Sequence, residues 1–538
     1  MKTLDSIVGL GKRDVSTRVF YFALALTSVL AAIIRIPALS QDLKPYMFCD
    51  EEYFFYADVL RMLRNDSVSS GNFYSGPMNV YPIWIVARGV ELFTPLSDEQ
   101  LLLVARFILP LGLGALAVVP LALFLKYLSG SRFVGIIAAT LYVLSSFLSG
   151  VSRYWYPDHY LFFFAALVVM FAAKISVVDK PQWTSVFLGV SAAMAFSVKY
   201  HSAILVLFVA AAFVARWKGF ENSEYRTKQL SKSTLTFVAS ALTFILIFHL
   251  NTFFYVDLFF DQQSFNVENY GIGSSSITDG LLGYAFVLFV LTLGPLGLFL
   301  AATSTTILLK SRSFFVLISL LSPIVVLLWV FGSQAAFVSR NIIPVTPLFL
   351  AICSIGAAAL IARLNFKPGP VSKLLVICLA LLLGAQSSLA AYAFFKDLEP
   401  DSRELAELWI EENIPETLTI GTNESCFGSS AAEVAGRRVT SDPFMEEGLE
   451  YYVFDSYEVS SISGQFRGAN ASEALLLPKY LHFYYFRDKE IYKSPLGLIT
   501  PEQLPRIDGY KLVQKFNKNG PEVWIWQKSP LISDSTQR

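Results

Sequence analysis

Runs of about twenty apolar residues, the length a helix needs to cross the hydrocarbon of a bilayer, recur along this chain. Eleven can be read, at approximately 19–38, 101–127, 133–150, 160–177, 183–198, 201–216, 234–254, 280–302, 314–332, 342–362 and 373–394. Backbone groups in hydrocarbon find no water to bond, so each run is expected to be helical. Composition agrees. Apolar residues make up 54% before the 31 Gly are added, and charged residues only 16%. A soluble domain, glycine included, holds about 45–50% apolar and about 25% charged. A water-soluble fold of this size cannot bury so much apolar surface. The 42 Lys+Arg balance the 42 Asp+Glu, so no net positive charge exists to neutralise the phosphates of a nucleic acid. An ordinary cytosolic enzyme, a disordered chain and a nucleic-acid binder are excluded, which leaves an α-helical polytopic membrane protein.

Basic residues in short loops set orientation. Crossing at each run puts Lys126, Arg132, Lys174, Arg216, Lys218, Lys310 and Arg363 on the side of the N-terminus, with Lys12 and Arg13. The opposite loops carry Asp50, Glu51, Glu52, Asp98, Asp257 and Asp261. The N-terminus is therefore expected in the cytoplasm and the tail outside, with the chain in a plasma (inner) membrane. The first run is long for a cleavable signal, whose apolar stretch is usually about 7–15 residues, and reads as a retained span. The segment 79–95 is apolar but holds Arg88 and Glu91; it reads as an interfacial helix lying on the membrane.

Two domains are expected. Residues 1–394 form the transmembrane domain, with an exterior loop at 39–100 that includes interfacial helices. Residues 395–538 form a small α/β exterior domain. There, Asp401-Ser402 and the apolar residues Leu405, Leu408, Trp409 and Ile410 read as a capped amphipathic helix. Thr417–Ile420 reads as a strand, and Tyr510–Trp526 as a hairpin around Asn519-Gly520. Cys49, Cys353, Cys378 and Cys426 are too scattered for a disulfide framework or a zinc ribbon.

Ionisable groups beside a span are costly and mark function by default. Four exterior places hold them: Asp50-Glu51-Glu52-Tyr53; Arg153 through Asp158-His159; Lys199-Tyr200-His201; and Arg340-Asn341. A carboxylate can serve as a general base or hold a metal, and guanidinium or ammonium groups suit phosphate oxygens. Solvated acidic loops and interfacial anchors are the plainer readings of each place taken alone. Together they put acids and cations at one leaflet boundary, where a water-borne acceptor can meet a lipid-borne phosphate. His159, His201 and His249 also lie near exterior span ends, where hydrogen-bonded interfacial histidines are the plainer reading and a metal site the sharper one.

In order, spacing and sidedness these motifs resemble those of the GT-C membrane glycosyltransferases of the protein O-mannosyltransferase and lipid A aminoarabinose transferase type. Cys49 through Tyr53 is similar to the family's Asp-Glu pair, Arg153 through Asp158 to its second exterior motif, and Lys199-Tyr200 to its third. Arg340 through Pro347 is similar to its Arg-Tyr-x-x-Pro-x-x-Pro span start, with Asn341 at the Tyr position, and Glu52 makes the acidic motif a triple acid. The resemblance implies an inverting enzyme that uses a polyprenyl- or dolichyl-phosphate sugar. It implies Asp50 as catalytic base, with Glu51 and Asp158 as further acidic site residues. It implies Arg153, Lys199 and Arg340 as binders of the lipid phosphate, and Glu52, Tyr53, His159, Tyr200 and His201 as surrounding residues. The acceptor stays open among glycan, lipid and protein. A divalent cation is compatible with the acids, and members of the family differ in needing one. A transporter or flippase for lipid-linked sugars is the competing class; it would place its polar residues near mid-membrane, whereas these sit at span ends.

Overall fold

A computed structural model describes residues 15–36, 57–65, 76–150, 158–178, 181–218, 223–270, 281, 284–285, 287–310, 313–332, 339–366, 370–396, 402–422, 437–440, 449–455, 510–516 and 523–529. Six helices among them are long and apolar enough to cross a membrane: Gln100–Ser129, Asp158–Ile175, Tyr200–Lys218, Thr227–Phe248, Phe314–Gly332 and Asn341–Ala362. Shorter apolar helices lie at Thr17–Ile33, Arg132–Leu144, Gln182–Val198, Gly294–Lys310 and Ile377–Ser388. Each falls on one of the apolar runs, in the same order, and the chain is a helical membrane protein with a small C-terminal sheet. Regularity is less complete than the runs suggest. The span from residue 100 passes through a π-turn at Pro110–Gly114, where proline lacks the N–H that an α-turn needs. The run at 280–302 is shifted: a π-turn at Val287–Leu291 precedes the α-helix Gly294–Lys310.

The helices alternate in direction, and contacts at the two ends differ in kind. At one end the Arg132 guanidinium donates to the Val15 carbonyl at 3.1 Å. Arg216, buried, donates to the carbonyls of Ile175 at 2.6 Å and Val178 at 2.5 Å, and the Lys218 ammonium lies 5.2 Å from the centre of the Phe315 ring. At the other end Arg35 meets Tyr142, Asp158 meets Lys199, Ser197 meets His249 and His201 meets Phe331. Every one of these contacts joins residues that strict alternation puts on one side.

The core lies between the helices, around Phe124, Tyr160, Phe162, Leu300 and Phe349. The helix Ser223–Phe248 sits at its edge, with nearly all of its apolar stretch outside the core. It packs on Gln182–Val198 through Gly189, where an added Cβ would lie 2.0 Å from Ser240 Oγ and 2.7 Å from the Phe237 carbonyl. Small residues let membrane helices approach this closely. Gly189→Val is expected to part the two helices and cost about 1–3 kcal/mol, the usual range for overpacking. A lowered melting temperature of the detergent-solubilised protein would register it.

The segment read as interfacial folds as a 3₁₀ turn, Pro77–Asn79, followed by an 11-residue helix, Tyr81–Glu91. With Ala57–Arg64 and Asp98–Leu109 that helix encloses a separate core of Val59, Met62, Ile83, Ala87, Leu102 and Ala105. Past it, Leu92 and Phe93 are 82% and 88% exposed.

Among the described residues of the tail, the helix Ser402–Asn413 packs beside a sheet of five strands. The strands are β1 Thr419–Thr422, β2 Arg438–Thr440, β3 Tyr451–Asp455, β4 Tyr510–Phe516 and β5 Val523–Lys528, in the order β2-β1-β3-β5-β4. β1 pairs in parallel with β2 and β3, while β5 runs antiparallel to β3 and β4. Period-two alternation sends Val453, Val523 and Ile525 to the helix-covered face, with Ala406 and Ile410, and Tyr452, Trp524 and Trp526 to the other. The first strand begins two residues later than the sequence suggests, at Thr419. β4 and β5 pair on either side of Asn519-Gly520, as the expected hairpin requires, and those two residues lie outside the described ones.

Candidate active site

Two of the four motifs meet directly. Asp158 opens the helix Asp158–Ile175, and Lys199 caps the neighbouring helix Gln182–Val198 in extended backbone, φ −144°. The Lys199 ammonium donates to Asp158 Oδ1 at 2.7 Å, with side chains only 11% and 1% exposed. An acid at a helix start and a base at a helix end each lie with the favourable pole of the helix dipole. Antiparallel helices bring those poles together.

After Lys199 the chain winds into a 3₁₀ turn, Tyr200–Leu205. A second 3₁₀ turn, Ser339–Val345, opens the fourth motif and packs against the first and against the helix of Asp158. Arg340 stands in this turn, so the backbone of the fourth motif arrives at the same rim, and Asn341 is buried. His159 is buried with its ring edge-on to Tyr160, centroids 4.7 Å apart. His201 stands edge-on to Phe331 at 5.0 Å, and its Nε2 has no hydrogen-bond partner among the described residues. Tyr200 stacks in a cluster with Phe196, His249 and Phe259. His249 is tied to Ser197 Oγ at 3.1 Å and Thr252 Oγ1 at 3.4 Å, the hydrogen-bonded histidine of the plainer reading. Asp50, Glu51, Glu52, Tyr53 and Arg153 lie outside the described residues. Among the described residues no three His, Cys, Asp or Glu side chains gather as a metal site.

Three bonds fasten the loop between the first two spans, whose sequence carries the acidic motif, to this rim. The Tyr160 hydroxyl donates to the Asn79 carbonyl. The Gly76 N–H donates to the Val198 carbonyl at 3.3 Å. The Asn251 side-chain amide donates to the Tyr81 hydroxyl at 2.9 Å, and burial raises the Tyr81 pKa, keeping the phenol protonated. Gly76 is required for the second bond, since a Cβ there would stand 1.9 Å from the Ser197 carbonyl oxygen.

Arg35 belongs to the same end and was not singled out from sequence. Its side chain is 1% exposed, donates to the Ala31 carbonyl at 2.6 Å and the Tyr142 hydroxyl at 2.7 Å, and lies 5.1 Å from the Tyr142 ring centre. Tyr142 in turn donates to the Gly114 carbonyl at the close of the π-turn. The available signal was a cation at the C-terminal end of the first run, on the side where the charge bias expects few.

Residues 104–261 match the model of the dolichyl-phosphate-mannose-protein mannosyltransferase family. That stretch contains the second and third motifs, and the match bears out the resemblance to that family there. No curated protein matches the chain in sequence. Among solved structures, the archaeal oligosaccharyltransferase AglB of Archaeoglobus fulgidus, complexed with an inhibitory peptide and a dolichol-phosphate, is similar at 14% identity and TM-score 0.48. The match covers 82% of this chain and 70% of that one. ArnT of Cupriavidus metallidurans bound to undecaprenyl phosphate is similar at 13% identity and TM-score 0.46, covering 85% of this chain and 97% of that one.

Proposed function

We propose that the chain transfers a sugar from a polyprenyl- or dolichyl-phosphate carrier to an acceptor hydroxyl at the exterior membrane face, with inversion. The observation that carries this reading is the buried Asp158–Lys199 pair, in which residues from two separate motifs meet where a lipid phosphate would lie. In this mechanism Asp50 takes the proton as the acceptor oxygen attacks the anomeric carbon from the side opposite the phosphate. The sugar–phosphate oxygen bond breaks, and its electrons stay on the departing lipid phosphate. Arg153, Lys199 and Arg340 stabilise that charge. Asp158 holds Lys199 in place, and Glu51 orients the acceptor.

The N-terminus is assigned to the cytoplasm of the plasma (inner) membrane. Residues 1–394 are assigned to the membrane domain and 395–538 to an exterior domain that helps present the acceptor. Purified protein incubated with an acceptor-bearing membrane extract and a panel of lipid-phosphate sugars is expected to release free lipid phosphate from at least one. Movement of intact donor across vesicles without that release would instead identify a flippase.

A further inference from the structure

Asn79 closes the 3₁₀ turn Pro77–Asn79 and is 2% exposed. Its backbone is engaged on both sides, since its N–H donates to the Gly76 carbonyl at 3.1 Å and its carbonyl accepts from Tyr160. Its side chain is not. The carboxamide oxygen is shut away from solvent and has no hydrogen-bond partner among the described residues. Buried polar atoms are nearly always bonded, and an exception calls for a missing partner.

The location says what that partner is. Tyr160, which grips Asn79, stands two residues beyond Asp158. Val198, which grips Gly76, stands one residue before Lys199. Asn79 is thus braced between the flanks of the two residues that form the ion pair. A phosphodiester cannot satisfy its oxygen, because a phosphodiester offers acceptors and no proton. A sugar hydroxyl can, because it carries a proton to donate to the carboxamide oxygen.

We propose that the Asn79 carboxamide is a binding group for the sugar of the lipid-linked donor, hydrogen-bonded to a ring hydroxyl. This rests on the glycosyl-transfer reading. The test compares binding of undecaprenyl phosphate with binding of undecaprenyl-phosphate mannose, glucose and galactose to the purified full chain. Wild type is expected to bind one of the sugar-bearing lipids about tenfold more tightly than the bare phosphate, the worth of one or two buried hydrogen bonds. Asn79→Leu and Asn79→Ala are expected to erase that margin and leave the affinity for undecaprenyl phosphate unchanged. Because Asn79→Leu removes an unbonded buried oxygen, the ligand-free variant is expected to melt no lower than wild type.

A margin that survives in both variants would make Asn79 a packing residue and overturn the proposal. So would equal loss for bare and sugar-bearing lipids, or a wild type that binds bare and sugar-bearing lipids alike, which is the result expected if only a buried water bonds this oxygen. A wild type that binds none of the four lipids would remove the glycosyl-transfer reading itself, and this proposal with it.

Discussion

Asp158→Leu is expected to destabilise the protein by about 3–5 kcal/mol, because it leaves the Lys199 ammonium buried without its carboxylate. Lys199→Leu should cost a similar amount for the mirror-image reason, since the Asp158 side chain is only 1% exposed. The double variant is the informative one. Replacing both charges with apolar groups of similar size is often neutral or stabilising, so Asp158→Leu/Lys199→Leu should recover most of the lost melting temperature. It should remain inactive in lipid-phosphate release. Recovered stability without recovered activity separates the pair's structural part from its chemical one. A double variant as unstable as the worse single would show that the two groups are not each other's main partner.

Asp50→Asn is expected to lower transfer by about 10²–10⁴, the range that a positioned general base contributes. The amide keeps the shape and cannot take the acceptor's proton. Donor affinity and melting temperature should stay near wild type, because neither depends on that proton. The pH profile sharpens the test. Wild-type activity should fall on the acid side as the base becomes protonated, and the residual activity of Asp50→Asn should lose that limb. A variant that transfers at the wild-type rate would move the base elsewhere, first to Glu51 or Glu52.

Most of the architecture was legible because a bilayer punishes exceptions. Length and apolarity placed the eleven runs, and the contacts at each end obey the alternation that crossing at each run requires. The exceptions are local. The π-turn at Pro110–Gly114 and the shift to Gly294 change hydrogen-bond register without changing apolarity, so hydropathy is blind to them. In the tail, the hairpin announced itself through Asn519-Gly520. β2, at three residues, and β3, Tyr451–Asp455, are too short and too little framed by turn residues to stand out.

The site was legible as residue types and not as partnerships. Asp158 and Lys199 were each chosen for being costly beside a span, yet nothing in the spacing of 158 and 199 announces an ion pair. That follows only once two antiparallel helices place a start beside an end. Asn79 carried no signal, being a neutral residue in an apolar stretch. Its burial comes from the grip of Tyr160, 81 positions away.

The position of β5 in the tail sheet bears on biogenesis. It lies between β3 and β4 and supplies the neighbours of both. Until the ribosome has made Val523–Lys528, β4 has no partner and β3 only one among the described strands. The tail must therefore wait, largely unassembled, for its final segment, and the membrane helices are threaded well before it closes. A nonsense change just upstream of Val523 would leave those helices in place beside a collapsed tail sheet, whereas an epitope tag placed beyond Lys528 would leave the sheet's pairing untouched.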